Sequence, residues 1–196
     1  MNPRITMSHA ESDAWRPEVA GWSTDILPFY DAVARELAPG ATIVEVGVYR
    51  GRSLLFLAER LVARFGTDNE LQMRAGTLYG VDPLGWDHGE LARHTHRSWT
   101  LVPDAVATAA RLLTCTSEMA AKMFPDGSLD LVFIDGDHEY ESVKADLQTW
   151  LPKVKPGGMI SGHDYGGGHP GVPRAVDEVI GKLTGKEGTV WWKGIG

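Results

Sequence analysis

Apolar residues along the chain alternate between short β-rich runs and helical stripes. The runs predict strands at six places, residues 42–48, 77–81, 111–114, 129–134, 159–162 and 189–192. Between them, apolar positions recur every three to four residues, which predicts helices over residues 53–65, 140–154 and about 173–183. Strands that alternate with helices indicate βαβ units. We therefore predict an α/β fold, a doubly wound and mostly parallel sheet with helices on both faces.

Two regions lack this regular alternation. Upstream of the first strand, Ser23, Thr24 and Asp25 are N-cap candidates for a helix that runs to about Leu37. Residues 1–40 are thus predicted to form a helical segment and lid, and residues 41–196 the α/β domain, the two making a single domain. Residues 87–106 show no clean periodicity, and we predict a helix plus a loop over the site.

Composition narrows the class of protein. The 196 residues are 43% hydrophobic and 23% charged, as expected for one soluble globular domain, and the net charge of −7 argues against a nucleic-acid partner and favours a small-molecule substrate. Cys115 is the only cysteine, so we expect no internal disulfide, a buried structural thiol and a cytoplasmic setting. Residues 1–20 contain no apolar run typical of a signal peptide, and no stretch of about 18 apolar residues predicts a membrane span. Homo-oligomerisation stays open.

A glycine-containing loop follows the first predicted strand. Glu45, Gly47 and Gly51 stand in the sequence EVGVYRGRS, between a strand and a helix. Glycine lets the backbone approach a ligand closely, and open α/β sheets bind ligands at such loops. A structural tight turn explains the two glycines as well. The spacing differs from the G-x-G-x-x-G of dinucleotide-binding folds and from the P-loop, which disfavours a nucleotide-cofactor oxidoreductase.

Two further polar positions follow the second and third predicted strands. Asp82 ends the second strand, where a carboxylate accepts hydrogen bonds from ribose hydroxyls, although an Asp before Pro83 also starts turns. Ser117 follows the third strand as a candidate cofactor contact, and helix capping explains it nearly as well.

Ionisable residues gather after the two apolar strands near the C-terminal half. Asp135, Asp137 and His138 follow the strand at 129–134, and His163 and Asp164 follow the next one. In the common strand order 3-2-1-4-5, Asp135 would face the ligand crevice. Carboxylates at the ends of adjacent strands, about 5 Å apart, could share a divalent cation, for which magnesium is the best candidate. Loop acids and a helix N-cap are the alternative. His88, His94 and His96 could bind a second metal or lie solvated in a loop.

These motifs resemble those of a known family. The glycine loop resembles motif I of the Rossmann-like class I S-adenosylmethionine-dependent methyltransferases. The segments 45–53, 132–147, 156–165 and 169–176 resemble the cephalosporin-hydroxylase-like and macrolide-sugar O-methyltransferases. This resemblance implies S-adenosylmethionine as the cofactor. It also implies a set of residues that line this cofactor: Glu45, Gly47, Tyr49, Gly51, Ser53, Asp82, Ser117 and Asp135.

The resemblance also implies the chemistry. Carried over from the metal-dependent sugar enzymes, Asp135 and Asp164 become ligands of Mg²⁺ and His138 the general base. His163 departs from the family, which has an acidic residue there, although its position makes it a third candidate ligand. The predicted function is O-methylation of a hydroxylated small molecule, a sugar or natural-product intermediate. A non-catalytic protein that binds S-adenosylmethionine, or an assembly protein of the same fold, is the alternative.

Overall fold

The strands form one sheet in the computed structural model, which describes residue 19 and residues 25–66, 77–85 and 89–196. The sheet has seven strands in the order β3-β2-β1-β4-β5-β7-β6. The first five are parallel, whereas β7 is antiparallel to β5 and to β6. The strands are β1 (Thr42–Val46), β2 (Thr77–Val81), β3 (Ala110–Leu113), β4 (Leu129–Ile134), β5 (Val154–Gly162), β6 (Gly185–Glu187) and β7 (Val190–Gly194). The predicted doubly wound, mostly parallel sheet is confirmed.

Seven α-helices connect the strands within the described ranges. They are α1 (Ile26–Glu36), α2 (Arg52–Phe65), α3 (Glu90–Thr100), α4 (Asp104–Ala109), α5 (Ser117–Ala121), α6 (Tyr140–Trp150) and α7 (Gly171–Val179). A short 3₁₀ turn, Leu151–Lys153, follows α6. None of the helices that the structure describes is both long enough and apolar enough to cross a bilayer.

The two faces of the sheet carry separate hydrophobic cores. In β4, Leu131 and Phe133 join the core under α1, α2 and α4, whereas Val132 and Ile134 join the core under α5, α6 and α7. Because successive strand residues point to opposite faces, a strand covered on both sides must be apolar at every position. The uninterrupted apolar run at residues 131–134 of β4 is therefore the sequence signature of a central strand.

Several predicted boundaries shift in the structure. Helix α7 begins at Gly171, two residues before the predicted start, and ends at Val179, about four residues before the predicted end. Strand β5 begins at Val154 and not at residue 159, because a register shift between Leu129 and Leu131 accommodates the segment Pro156-Gly157-Gly158 within the strand. Strand β6 was not predicted, since its three residues carry no apolar pattern.

Of the two irregular regions, the upstream one contains the expected helix, α1, which ends one residue before the predicted limit at Leu37. Residues 87–106 contain the helix α3 and the start of α4, and the buried face of α3 includes Thr95 and Ser98, so hydrophobicity alone does not show its period. His88 and the segment before Asp25, apart from Val19, lie outside the described residues. Asp25 precedes α1 but makes no side-chain capping bond. Cys115 is partly exposed, so the predicted buried thiol is wrong.

The fully buried Trp150 at the end of α6 tests the packing on one face. Its indole N–H donates to the Ser117 hydroxyl at 2.8 Å, and its ring lies 5.8 Å from that of Phe124. We expect Trp150→Ala to lower the free energy of unfolding by about 3–5 kcal/mol, because it leaves a cavity in the core. Met123→Ala, at a side chain that is 61% exposed, is the control and should change stability by less than about 0.5 kcal/mol. Urea denaturation measures both, and equal losses would contradict this assignment of the core.

Candidate functional site

The carboxyl ends of the parallel strands form a crevice where the strand order reverses. Strand β1 pairs with β2 on one side and with β4 on the other, which makes the ends of β1 and β4 the topological switch point. Asp135, His138, His163 and Asp164 line a small pocket at this edge. The structure thus brings the predicted catalytic and metal-binding residues together.

The two loop glycines are required by contacts within the protein. Gly47 has a φ of +87°, and a Cβ there would lie 2.0 Å from the carbonyl oxygen of Asp135. Gly51 has a φ of +86°, and its Cβ would lie 2.5 Å from the Trp99 ring of α3. Only glycine satisfies both the left-handed backbone and the close approach. A side chain at Gly47 would therefore disturb the fold first, so this position does not test ligand binding.

Asp82 holds the same loop in place. One carboxylate oxygen accepts hydrogen bonds from the amides of Val48 (3.0 Å) and Tyr49 (2.9 Å), and the other accepts one from Leu84 (2.8 Å). Tyr49 has a φ of +49°, and its carbonyl oxygen accepts a bond from the Thr95 hydroxyl of α3 at 2.6 Å. The second Asp82 oxygen accepts one bond in this set, which leaves a lone pair for a ribose hydroxyl. Its predicted cofactor contact stays a prediction, to which the structure adds the positioning of the loop.

Glu45 lies beneath the loop and not on its open side. The residue is 1% exposed, and its carboxylate accepts hydrogen bonds from the Tyr30 hydroxyl (2.6 Å) and the Ser53 hydroxyl (2.7 Å). Burial raises the pKa of Glu45 from 4.5 to about 8, although both hydrogen bonds act in the opposite direction. Glu45 and Ser53 thus support the loop from within, and their predicted cofactor contacts stay predictions. Nothing in the sequence indicated that Tyr30 is a partner of Glu45.

Ser117 is engaged on the α6 side of the sheet. Its hydroxyl accepts the indole N–H of Trp150 and hydrogen-bonds Asp146. The cap of α5 is the preceding residue, Thr116, whose hydroxyl accepts a bond from the amide of Met119 at 3.4 Å. The capping alternative for Ser117 is therefore wrong, and its cofactor contact stays a prediction.

His163 lies between three carboxylates. Its Nε2 is 2.9 Å from Asp25 Oδ1 and 2.9 Å from the Thr189 hydroxyl. Its Nδ1 is 3.3 Å from Asp135 Oδ1 and 3.2 Å from Asp164 Oδ2. Asp25 and Thr189 had no assigned role at this site, because contacts across 138 and 164 residues of sequence leave no local signal.

These contacts change the proton affinities of the cluster. Burial alone would lower the pKa of His163, but hydrogen bonds to Asp135, Asp164 and Asp25 outweigh it and raise the pKa from 6.5 to about 12. Burial raises the pKa of Asp135, and the interaction with His163 offsets only part of that rise. Burial also acts to raise the pKa of Asp164, but the hydrogen bond with His163 and the charges of the nearby histidines together outweigh it and lower the pKa. These shifts favour the protonated, positively charged form of His163.

His138 extends outward from this cluster. Its Nε2 lies 2.8 Å from Asp164 Oδ2, and the side chain is 40% exposed. The ring stacks on His169 with centroids 4.1 Å apart. Asp137 is not part of this cluster. Its carboxylate accepts hydrogen bonds from the backbone amides of His138 and Glu139 and from the Ser142 hydroxyl. The loop-acid alternative is correct for Asp137.

The predicted metal ligands can be compared with the needs of magnesium. Ligand atoms of Asp135, His163 and Asp164 lie within 4.8 Å of one another. Magnesium takes oxygen ligands at about 2.0–2.1 Å in octahedral geometry, whereas imidazole suits zinc, copper, iron or nickel. Here the imidazole nitrogen is paired to the two carboxylates that would be its fellow ligands. The donor set fits magnesium poorly, and magnesium stays a prediction that this geometry opposes.

The other histidines give no second metal site in the part of the chain that the structure covers. His94 and His96 are exposed on α3, and neither belongs to a group of three possible ligands. A third histidine, His169, joins His138 and Asp164 in such a group. The rings of His169 and His138 stack face to face, however, and stacked rings do not direct a nitrogen each toward one shared ion.

The raised pKa of Glu45 predicts a pH-dependent stability. Because the folded-state pKa of about 8 exceeds the ordinary 4.5, the stability that Glu45 contributes falls as pH rises between these values. Glu45→Gln cannot ionise, so we expect the variant to gain stability relative to wild type from about pH 5 to pH 8, by at most about 1.4 kcal/mol per unit of pKa shift. Urea unfolding at both pH values measures this gain.

The control for this comparison is the same substitution at an exposed position. Glu36→Gln lies at the exposed end of α1 and should give the same difference from wild type at both pH values. If the difference in unfolding free energy between Glu45→Gln and wild type is also the same at both pH values, the raised pKa of Glu45 is contradicted.

Comparisons with known proteins agree with this geometry. A family described as a methyltransferase domain matches residues 44–165. A curated protein of Streptomyces olivaceus, 8-demethyl-8-(2,3-dimethoxy-alpha-L-rhamnosyl)-tetracenomycin-C 4'-O-methyltransferase, is 29% identical over 150 residues, 69% of this chain. The chain spans 56% of the length of that relative.

Solved structures share the fold. Apo CalS11, a TDP-rhamnose 3'-O-methyltransferase of calicheamicin biosynthesis, superposes with a TM-score of 0.63 at 21% identity and covers 88% of this chain and 79% of its own. The O-methyltransferase TomG of Streptomyces achromogenes, in complex with S-adenosylmethionine, gives a TM-score of 0.62 at 17% identity, with 92% and 83% covered. Because the family match extends over more than half of the sequence, the chain belongs to this family of methyltransferase domains.

Proposed function

We propose that the chain is an S-adenosylmethionine-dependent O-methyltransferase that acts on a hydroxylated small molecule, a sugar or a natural-product intermediate. The observation that carries the proposal is the pairing of His138 with Asp164 at the rim of the crevice, beside the loop that follows β1. The names of the tetracenomycin-sugar and TDP-rhamnose relatives support the acceptor class. The TomG complex supports the cofactor.

The crevice suits this cofactor chemically. Asp82 keeps acceptor capacity at the end of β2, which fits ribose hydroxyls, and Asp135 adds acidic character near the crevice, which fits a cationic group. When bound, S-adenosylmethionine supplies an electrophilic methyl group on a sulfonium. The loop that would approach it is fixed beforehand by Asp82 and by the glycines. Preorganisation of this kind lowers the entropy lost on binding.

His138 is the base in this proposal. Asp164 Oδ2 lies 2.8 Å from Nε2 of His138, and with the proton on that nitrogen the Nδ1 atom is bare. The bare Nδ1 atom could accept the proton of an acceptor hydroxyl as the hydroxyl oxygen bonds the methyl carbon and the methyl–sulfur bond breaks, which would leave neutral S-adenosylhomocysteine. Asp164 has a φ of +60°, a left-handed backbone that Asp tolerates better than most residues and that is common at functional sites. No metal step enters this scheme, since the donor set fits magnesium poorly.

The test uses His138→Ala. Loss of a general base should lower turnover by roughly 10²–10⁴-fold and leave the affinity for S-adenosylmethionine unchanged, because the side chain contributes to proton removal and not to the cofactor loop. Turnover is measured as transfer of labelled methyl to a panel of hydroxylated sugars and glycosides, and affinity by calorimetry.

His169→Ala is the matched control, since it removes the ring stacked on His138 without removing the base. It should retain most of the turnover. Equal effects of the two substitutions would overturn the assignment of His138. Cofactor binding without transfer to any hydroxylated acceptor would favour a non-catalytic binding protein.

A further inference from the structure

We propose that the side chain of His163, protonated on both ring nitrogens and held by Asp25, Asp135 and Asp164, takes the place of a divalent cation, so that the protein works without one. The inference rests on the proposed methyl transfer for its catalytic meaning. The protonation of His163 follows from the contacts of its two ring nitrogens, Nε2 and Nδ1.

The Nε2 atom carries a proton. The Thr189 hydroxyl lies 2.6 Å from Asp25 Oδ2 and donates its single proton to that oxygen. Its oxygen can then only accept from Nε2, at 2.9 Å. Asp25 Oδ1, also at 2.9 Å, is a second acceptor. With acceptors alone on this side of the ring, Nε2 must be the donor.

The Nδ1 atom faces acceptors as well. The nearest oxygens belong to Asp135, at 3.3 Å, and Asp164, at 3.2 Å. The same Asp164 oxygen lies 2.8 Å from Nε2 of His138, and the interactions with the surrounding histidines hold the pKa of Asp164 below its ordinary value, so this carboxylate is ionised. A bare Nδ1 would place three lone pairs against one another in a half-buried site. A proton on Nδ1 removes this repulsion and gives the ring its positive charge.

This arrangement leaves His163 without a lone pair for a metal ion. A ligating imidazole must present a lone pair, and both nitrogens of His163 are committed to carboxylates. The ring is only 19% exposed, and its contacts reach α1 through Asp25 and the start of β7 through Thr189. Because these contacts lie on opposite sides of the ring, rotation toward a cation would break one set. The position next to Asp164 is thus filled by the chain itself.

The internal cation has a consequence for the reaction. Asp164 lies between two histidines, since it pairs with Nδ1 of His163 and with Nε2 of His138. His163 therefore acts as a positioning residue, because it fixes the carboxylate that orients the base. Without a metal ion to polarise the acceptor hydroxyl, proton removal depends on His138 alone.

The experiment measures Mn²⁺ binding by electron paramagnetic resonance, in the wild type and in His163→Asp. Replacement of the cation by a carboxylate creates an oxygen-ligand cluster with Asp135 and Asp164. We expect no saturable Mn²⁺ binding to the wild type. In the variant we expect saturable binding, with a Kd at least about tenfold below the lower limit set by the wild-type titration, because added carboxylate charge strengthens cation sites. Circular dichroism checks that the variant is folded, and His163→Glu serves as the second variant if it is not.

Each outcome decides the proposal. Wild-type binding of Mn²⁺ that competes with Mg²⁺, or a folded variant that gains no binding, would overturn it. Turnover assays with EDTA add a functional readout, in which wild-type activity should be unchanged and abolished activity would contradict the inference. The Mn²⁺ spectra need no methyl acceptor, so a failure of the proposed methyl transfer would be seen separately, as the absence of turnover with cofactor binding intact.

Discussion

The ion pairs of His163 hold together the edge of the sheet on which the site depends. One imidazole ring connects Asp25 at the start of α1, Asp135 at the end of β4, and Asp164 just beyond β5. Three carboxylates in a partly buried space would repel one another without it, and breaking a buried pair from one side usually costs several kcal/mol. The position of Asp164, and through it the orientation of His138, follows from this contact.

The loop after β1 is built on a similar principle, in which the protein satisfies its own polar groups first. Asp82 accepts amides from the loop, and Glu45 accepts hydroxyls beneath it. Gly47 meets the backbone of Asp135, which couples the loop to the strand that precedes His138. The loop after β1 and His138, the proposed base, are therefore positioned relative to each other through this contact, as the proposed transfer between two bound molecules would require.

The sequence predicts the parallel strands from local patterns, and the common strand order 3-2-1-4-5 of open α/β sheets then predicts the edge where the site lies. Apolar strands covered on both faces have unbroken hydrophobic runs, and the motifs after β1, β2, β4 and β5 come together once those strands are parallel. The partners of His163 could not be found in this way. Asp25 stands before an apolar helix and has the signature of an N-cap, yet its carboxylate turns to a histidine 138 residues away. Likewise, α3 packs through Thr95 and Ser98, so its hydrophobic period is hidden.

The protonation state of His163 is the most direct test of this account. Long-range nitrogen–proton NMR correlations distinguish protonated from bare ring nitrogens, and comparison with His163→Gln assigns the signal. In the wild type at neutral pH with EDTA present, we expect both nitrogens of His163 to be protonated and the signal to be unchanged when Mg²⁺ is added in excess. A bare ring nitrogen, or a signal that moves on addition of the ion, would contradict the assignment of His163 as the cation of the site.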